Sequence, residues 1–173
     1  MADPMDPEFT AQNPIVAAAT RIRARREIDR AVDAATGEPV ARRPEDAEES
    51  LRLFAEQLTL GARRLNAILG ERRGVKIVVL ERPLRVRVRF AQRRAGLDLD
   101  DVHQLVRVNG FEEDGEYQFD PDAGVPSLIN LSKISTDAGY GDRLTASSLL
   151  KWIASEAELP PPDHANAPGP LRF

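Results

Sequence analysis

The chain has 173 residues, with 24 basic against 28 acidic side chains, no cysteine and two histidines. That composition excludes a disulfide scaffold, thiolate metal sites and a cysteine nucleophile, and His103 and His164 are too few for a multi-histidine metal centre. With 42% apolar residues the length suits one domain with a real core, and no apolar run approaches the ~20 residues of a membrane span.

These properties lead to the expectation of a cytoplasmic soluble domain with no signal peptide, no membrane contact and no implied cofactor. Aromatics are only 5% of the residues, so Leu, Ile, Val and Ala must fill the core. Of the 24 basic residues only Lys76, Lys133 and Lys151 are lysines. Such an arginine skew is the mark of a GC-rich genome and points to a bacterial source.

In chain order, residues 1–9 end in Asp-Pro-Glu-Phe, a tetrapeptide of the kind a cloning polylinker leaves, and they are set aside as a vector-derived leader. Residues 10–43 form a loosely helical N-terminal segment. Its helix is predicted over Asn13 to Ala35, with Pro14 in the first turn and Gly37 as the stop. Ile15, Val16, Ile22, Ile28 and Val32 are its only large apolar residues. Arg21, Arg23, Arg25, Arg26 and Arg30 cover much of the circumference, so the helix needs a packing partner to be ordered.

Residues 44–158 read as a globular α+β domain. Its first element is a long amphipathic helix over Pro44 to Leu69, with Glu45, Asp46, Glu48 and Glu49 at the positive end of the dipole and Gly70 as the C-terminal stop. Leu51, Phe54, Leu58, Gly61, Leu65 and Ile68 recur at alternating spacings of three and four, a heptad seam. Two uses of that seam stand open: packing on the chain's own sheet, or self-association through Leu51, Phe54, Leu58, Leu65 and Ile68.

A β region follows Gly74. Val75 to Leu80 is apolar and β-branched, and Leu84 to Phe90 alternates strictly. Leu84, Val86, Val88 and Phe90 share one face, and Arg85, Arg87 and Arg89 the other. The two runs make either a hairpin or one long strand bent at Pro83. Further strands are predicted at Gln104 to Val108 and Glu116 to Phe119, with Asn109-Gly110 and Asp114-Gly115 as turns. Ser127 to Ile134 reads as a short helix and Ala138 to Gly141 as a loop. Thr145 caps a closing helix bearing Ala146, Leu149, Leu150, Ile153 and Ala157, with Trp152 at the edge of its apolar face. Residues 159–173 hold five prolines and read as a disordered tail. The expected architecture is therefore α+β: a long amphipathic helix and a C-terminal helix packed with a small, mainly antiparallel sheet.

Charge is distributed unevenly. Residues 61–94 carry a net charge of +9 within an otherwise acidic chain. Arg85, Arg87 and Arg89 form a ladder with a spacing of roughly 7 Å, flanked by Arg72, Arg73, Lys76, Arg93 and Arg94. These eight residues are the candidate surface for an anionic partner. Three readings compete. The ladder is a solvated sheet face balanced by Glu112, Glu113, Asp114 and Glu116; it docks an acidic protein; or it neutralises a nucleic-acid backbone. Only Phe90 supplies an aromatic there, too few for base stacking of the single-strand type.

Catalytic signals are weak. Asp98, Asp100, Asp101 and His103 form the only cluster resembling a metal or acid-base site, and it lacks the spacing of a Ca²⁺ loop. Asp98 and Asp101 read equally well as turn or helix-start residues. No serine stands in a nucleophile elbow, and no Gly-rich phosphate loop is present. The leading expectation is a non-catalytic interaction or assembly subunit, an adaptor in a bacterial complex. A nucleic-acid-binding protein using residues 61–94 is the runner-up, and an oxygen-ligand metal-dependent enzyme stands third.

Overall fold

The computed structural model describes residues 14–39, 43–70, 74–111, 114–132 and 143–156. Arg72, Arg73, Glu112, Glu113, the predicted loop at Ala138 to Gly141, the leader and the proline-rich tail lie outside them. Two helices come first, α1 (Pro14–Thr36) and α2 (Ala47–Leu69). Seven strands follow: β1 (Lys76–Leu80), β2 (Arg85–Phe90), β3 (Arg93–Asp100), β4 (Leu105–Asn109), β5 (Gly115–Phe119), β6 (Ser127–Asn130) and β7 (Arg143–Thr145). Helix α3 (Ala146–Glu156) closes the described chain. Every strand pairs antiparallel with its sequence neighbour, giving the spatial order β1-β2-β3-β4-β5-β6-β7, a half-barrel meander. The class is α+β as expected, and the sheet is larger than the small one predicted.

Helix α2 starts three residues later than Pro44 because Asp46, in an extended conformation, takes the N-cap. Its Oδ1 accepts from the Glu49 N–H at 2.8 Å, and the Glu49 carboxylate accepts in return from the Glu45 N–H at 2.9 Å. The Gln104 side chain, on the β3–β4 turn, accepts from the Ala47 N–H at 2.9 Å and so ties the sheet to the start of the helix. Gly70, at φ 82°, ends it.

The heptad seam faces inward. Leu51, Phe54, Leu58 and Leu65 have no exposed surface, and Ile68 is partly buried against the same core. They meet Val86, Val88, Leu97, Val106, Tyr117 and Leu128 from one face of the sheet and Leu149, Leu150 and Ile153 from α3. Of the two uses open to the seam, the chain's own sheet and helices take it. Within one chain, four of the five side chains expected to self-associate, Leu51, Phe54, Leu58 and Leu65, are thereby removed from water, and Ile68 is partly covered. Gly61 leaves room for side chains of the two neighbouring helices. A Cβ there would lie 2.2 Å from Leu150 Cδ1 and 3.0 Å from Thr36 Cγ2.

Two elements differ in kind from expectation. Residues 127–130 form strand β6 rather than a helix. The pairings Tyr117↔Asn130 and Phe119↔Leu128 turn Leu128 into the core, and four residues with one such anchor make too little helical pattern to resist the sheet. Residues 93–100 form strand β3, which places Asp98 within a strand rather than at a turn or helix start. Ala95, Leu97 and Leu99 alternate inward there, while Gly96 and the aspartates obscure the period. The two runs on either side of Pro83 form a hairpin, β1–β2, turning at residues 81–84.

Candidate functional site

Helices α2 and α3 lie against the sheet on the face that bears Val86, Val88 and Leu97, and α1 packs on those two helices; among the described residues no helix covers the other face, which bears the arginines. The registers resolve that open face into rows running across the strands. One row reads Leu80, Arg85, Asp98, Arg107, Glu116, crossing β1 to β5. Its charges alternate in sign and sum to zero; within the row Arg107 and Glu116 approach to 3.9 Å, while Asp98 pairs with Arg87 of the next row. The next reads Val78, Arg87, Gly96, Asn109. Arg87 Nη1 donates to Asp98 Oδ1 at 2.6 Å, reaching it over Gly96, where a Cβ would come within 2.6 Å of the same nitrogen. Glycine at 96 thus makes room for the guanidinium to cross the strand.

The third row is of one sign. Lys76 stands opposite Arg89, and Arg89 stands opposite Arg94. At strand spacings of about 4.8 Å the three backbone positions span roughly 10 Å. None of the three makes an ion pair among the described residues. Like charges placed directly opposite destabilise a sheet, so this end of the face is the part the fold itself does not favour.

The loop beside that row adds to its cost. Ala91 and Gln92 join β2 to β3 with φ of 45° and 63°, the left-handed region that favours Asn and Gly. Arg93 is held firmly next to them. Its guanidinium donates to Glu156 Oε2 at 3.0 Å and lies over the Phe90 and Trp152 rings, 5.7 and 5.4 Å from their centroids. Trp152 meets Phe90 and Phe111 edge to face, with centroids 5.5 and 5.8 Å away.

Of the eight predicted basic residues, the structure brings Lys76, Arg89 and Arg94 together at the open end of the face. It engages Arg87 with Asp98 and Arg93 with Glu156. Arg85 is half-buried between Leu80 and Asp98. Sequence reasoning missed that Asp98 and Arg107 share a row with Arg85. Glu116, expected to face the ladder, lies 3.9 Å from Arg107 instead. The signal that was present is the alternating run that ends at Phe90; a two-residue turn at Ala91-Gln92 then puts Arg89 against Arg94.

The aspartate cluster is occupied by local structure. Asp100 accepts from the His103 backbone N–H at 3.1 Å and lies 2.9 Å from its Nδ1. Those contacts, the backbone one first, hold the Asp100 carboxyl below its ordinary value. Asp101 accepts from Gln104 at 3.2 Å. No group of three or more His, Cys, Asp or Glu side chains among the described residues is placed to hold a metal ion. A cleft of about 450 Å³ lies between the start of α2 and the β5–β6 loop. Its carboxylates are also engaged, Asp46 as the helix cap and Asp120 with the Asp122 N–H at 2.9 Å and Arg143 at 2.6 Å. No helix among the described residues is long and apolar enough to cross a membrane. Compared with known proteins, the chain matches no family model, and no curated protein and no solved structure matches it either.

Proposed function

We propose that the chain is a non-catalytic interaction or assembly subunit, and that the Lys76, Arg89, Arg94 row docks an acidic segment of a protein partner. The observation that carries this reading is the register: three cations stand in line across three strands, whereas the row four strand positions away alternates in sign. The strained Ala91-Gln92 loop supports it, because costly backbone at an exposed tip is retained where the tip has work to do. The contacts of Arg93 with Phe90, Trp152 and Glu156 tie the first residue of β3 to α3 beside this row.

An acidic protein suits the face better than a nucleic acid does. Phe90, the one aromatic of the basic segment, is 3% exposed and offers no stacking platform. Asp98 and Glu116 interrupt the path a phosphate backbone would follow past the ladder. A carboxylate-bearing strand or loop needs only the terminal row.

The test is a fluorescence-anisotropy titration of the full chain with a labelled Glu-rich peptide, duplex DNA and single-stranded RNA, at low and at physiological salt. The reading expects saturable peptide binding that weakens with salt and is lost on substituting Lys76→Glu, Arg89→Glu and Arg94→Glu together. Peptide binding absent even at low salt contradicts it. Tighter binding to DNA or RNA than to peptide, lost in the same variant, would establish the nucleic-acid alternative instead.

A further inference from the structure

Strand β1 is an edge: Lys76–Leu80 pairs with β2 on one side, and no described strand lies on the other. Val78, Val79 and Leu80 are 42%, 41% and 38% exposed. Soluble proteins ordinarily guard such an edge with charge, proline or a bulge, whereas β1 carries one charge, Lys76 at its first position. A groove of about 440 Å³ runs along the same edge, lined by Ala55, Glu56, Thr59, Leu60 and Arg63 of α2 and by Val79. Leu60 is 49% exposed within it.

Helix and strand run antiparallel here and are pinned at both ends. Arg52 of α2 is bonded to the Glu81 carboxylate just beyond β1. Asn66 accepts from the Val75 N–H at 2.7 Å and donates to the Val75 carbonyl at 2.9 Å. From residue 52 to 66 a helix rises about 21 Å, and from 81 to 75 a strand covers about 20 Å. The midpoint of the strand segment is Val78, and that of the helix segment is Thr59, next to Leu60. One two-fold axis can therefore pass both Val78 and Leu60.

We infer that two copies of this chain join through β1, antiparallel about Val78, into one continuous sheet. Val78 then meets Val78, Ile77 meets Val79 and Lys76 meets Leu80 of the second copy, so no like charges oppose each other. On the helices, Glu56 and Arg63 flank the same axis. Each Glu56 faces the second copy's Arg63, and the Leu60 side chains close the groove between them. Neither Glu56 nor Arg63 has an ion-pair partner among the described residues. Self-complementarity of strand and helix about one axis is what selects a second copy over a foreign strand. The inference does not depend on which anion the cationic row takes.

The test is sedimentation equilibrium on the full chain across micromolar concentrations. The expected mass is twice the 19.1 kDa of one chain. Leu60→Lys, Glu56→Arg and Arg63→Glu each place like charges across the axis and are expected to raise the dimer dissociation constant by about tenfold or more. The combined Glu56→Arg and Arg63→Glu variant restores the opposed pairs and is expected to recover dimerisation, which also shows that the single variants fold. A wild-type monomer at every concentration overturns the inference. So does a dimer indifferent to the single variants, or one that the double exchange leaves dissociated.

Discussion

Arg89 and Arg94 stand directly opposite each other across β2 and β3, and Lys76 continues their line onto β1. Four strand positions along, the same face alternates Arg85, Asp98, Arg107 and Glu116. The contrast predicts a trade-off. Arg94→Glu replaces a repelling neighbour of Arg89 with an attracting one and should raise stability by about 0.2–1 kcal/mol, read as a higher urea midpoint. The same variant should bind the Glu-rich peptide more weakly. Equal or lower stability would mean that the repulsion is already relieved elsewhere.

Gln92 holds a φ of 63° without being glycine. Gln92→Gly should stabilise the protein by about 1 kcal/mol, since the left-handed conformation costs a side-chain-bearing residue roughly 1–2 kcal/mol. Thermal and urea unfolding measure it. No gain would show that the Gln92 side chain contributes enough at the hairpin tip to offset its backbone.

Leu58 has no exposed surface and sits mid-seam. Leu58→Ala should cost about 2–5 kcal/mol of protomer stability, with no change in the mass measured under native conditions. Gly61→Val should also destabilise, by about 1–3 kcal/mol of overpacking against Leu150 and Thr36. A seam variant that lowers the mass while leaving the protomer's own melting unchanged would return the seam to an interface.

What the sequence revealed and what it hid follow one physical line. The long helix was legible because Leu51, Phe54, Leu58 and Leu65 repeat over several turns and Gly70 stops it. The alternation from Leu84 to Phe90 was legible for the same reason. Register was not. Whether Arg89 faces Arg94 or an acid depends on the Ala91-Gln92 turn, which lacks the Asn-Gly chemistry that advertises a two-residue hairpin. Strand β3 was hidden by Gly96, which breaks the pattern, and that glycine is there so that Arg87 can lie across it to Asp98. Residues 127–130 carry no periodicity long enough to declare a strand, so only pairing with β5 decides their state.

Acid should destabilise the fold through a small set of carboxylates. Asp33 is held below its ordinary value of 3.8 first by its hydrogen bond from Lys151. Asp100 is held down by the His103 N–H and Asp120 by the Asp122 N–H, with Arg143 adding to the latter. A lowered folded value means that the unfolded chain binds protons first as pH falls. The stabilisation is therefore complete above 3.8 and is lost as pH drops through the folded values. Melting temperature should be level near neutrality and fall steeply below about pH 4. Asp120→Asn should lower the neutral plateau and make the acid fall shallower; an unchanged acid limb would remove Asp120 from the account.

The most direct measurement of the central claim sets the row against the ladder. The affinity of the Glu-rich peptide is compared between the chain carrying Lys76→Thr, Arg89→Thr and Arg94→Thr and the chain carrying Arg85→Thr and Arg107→Thr, at matched folding by circular dichroism. The account predicts that the first variant loses binding, while the second, whose arginines belong to the balanced row, keeps affinity near that of the wild type. Loss confined to the second variant, or equal loss in both, would contradict the assignment of the docking site to Lys76, Arg89 and Arg94.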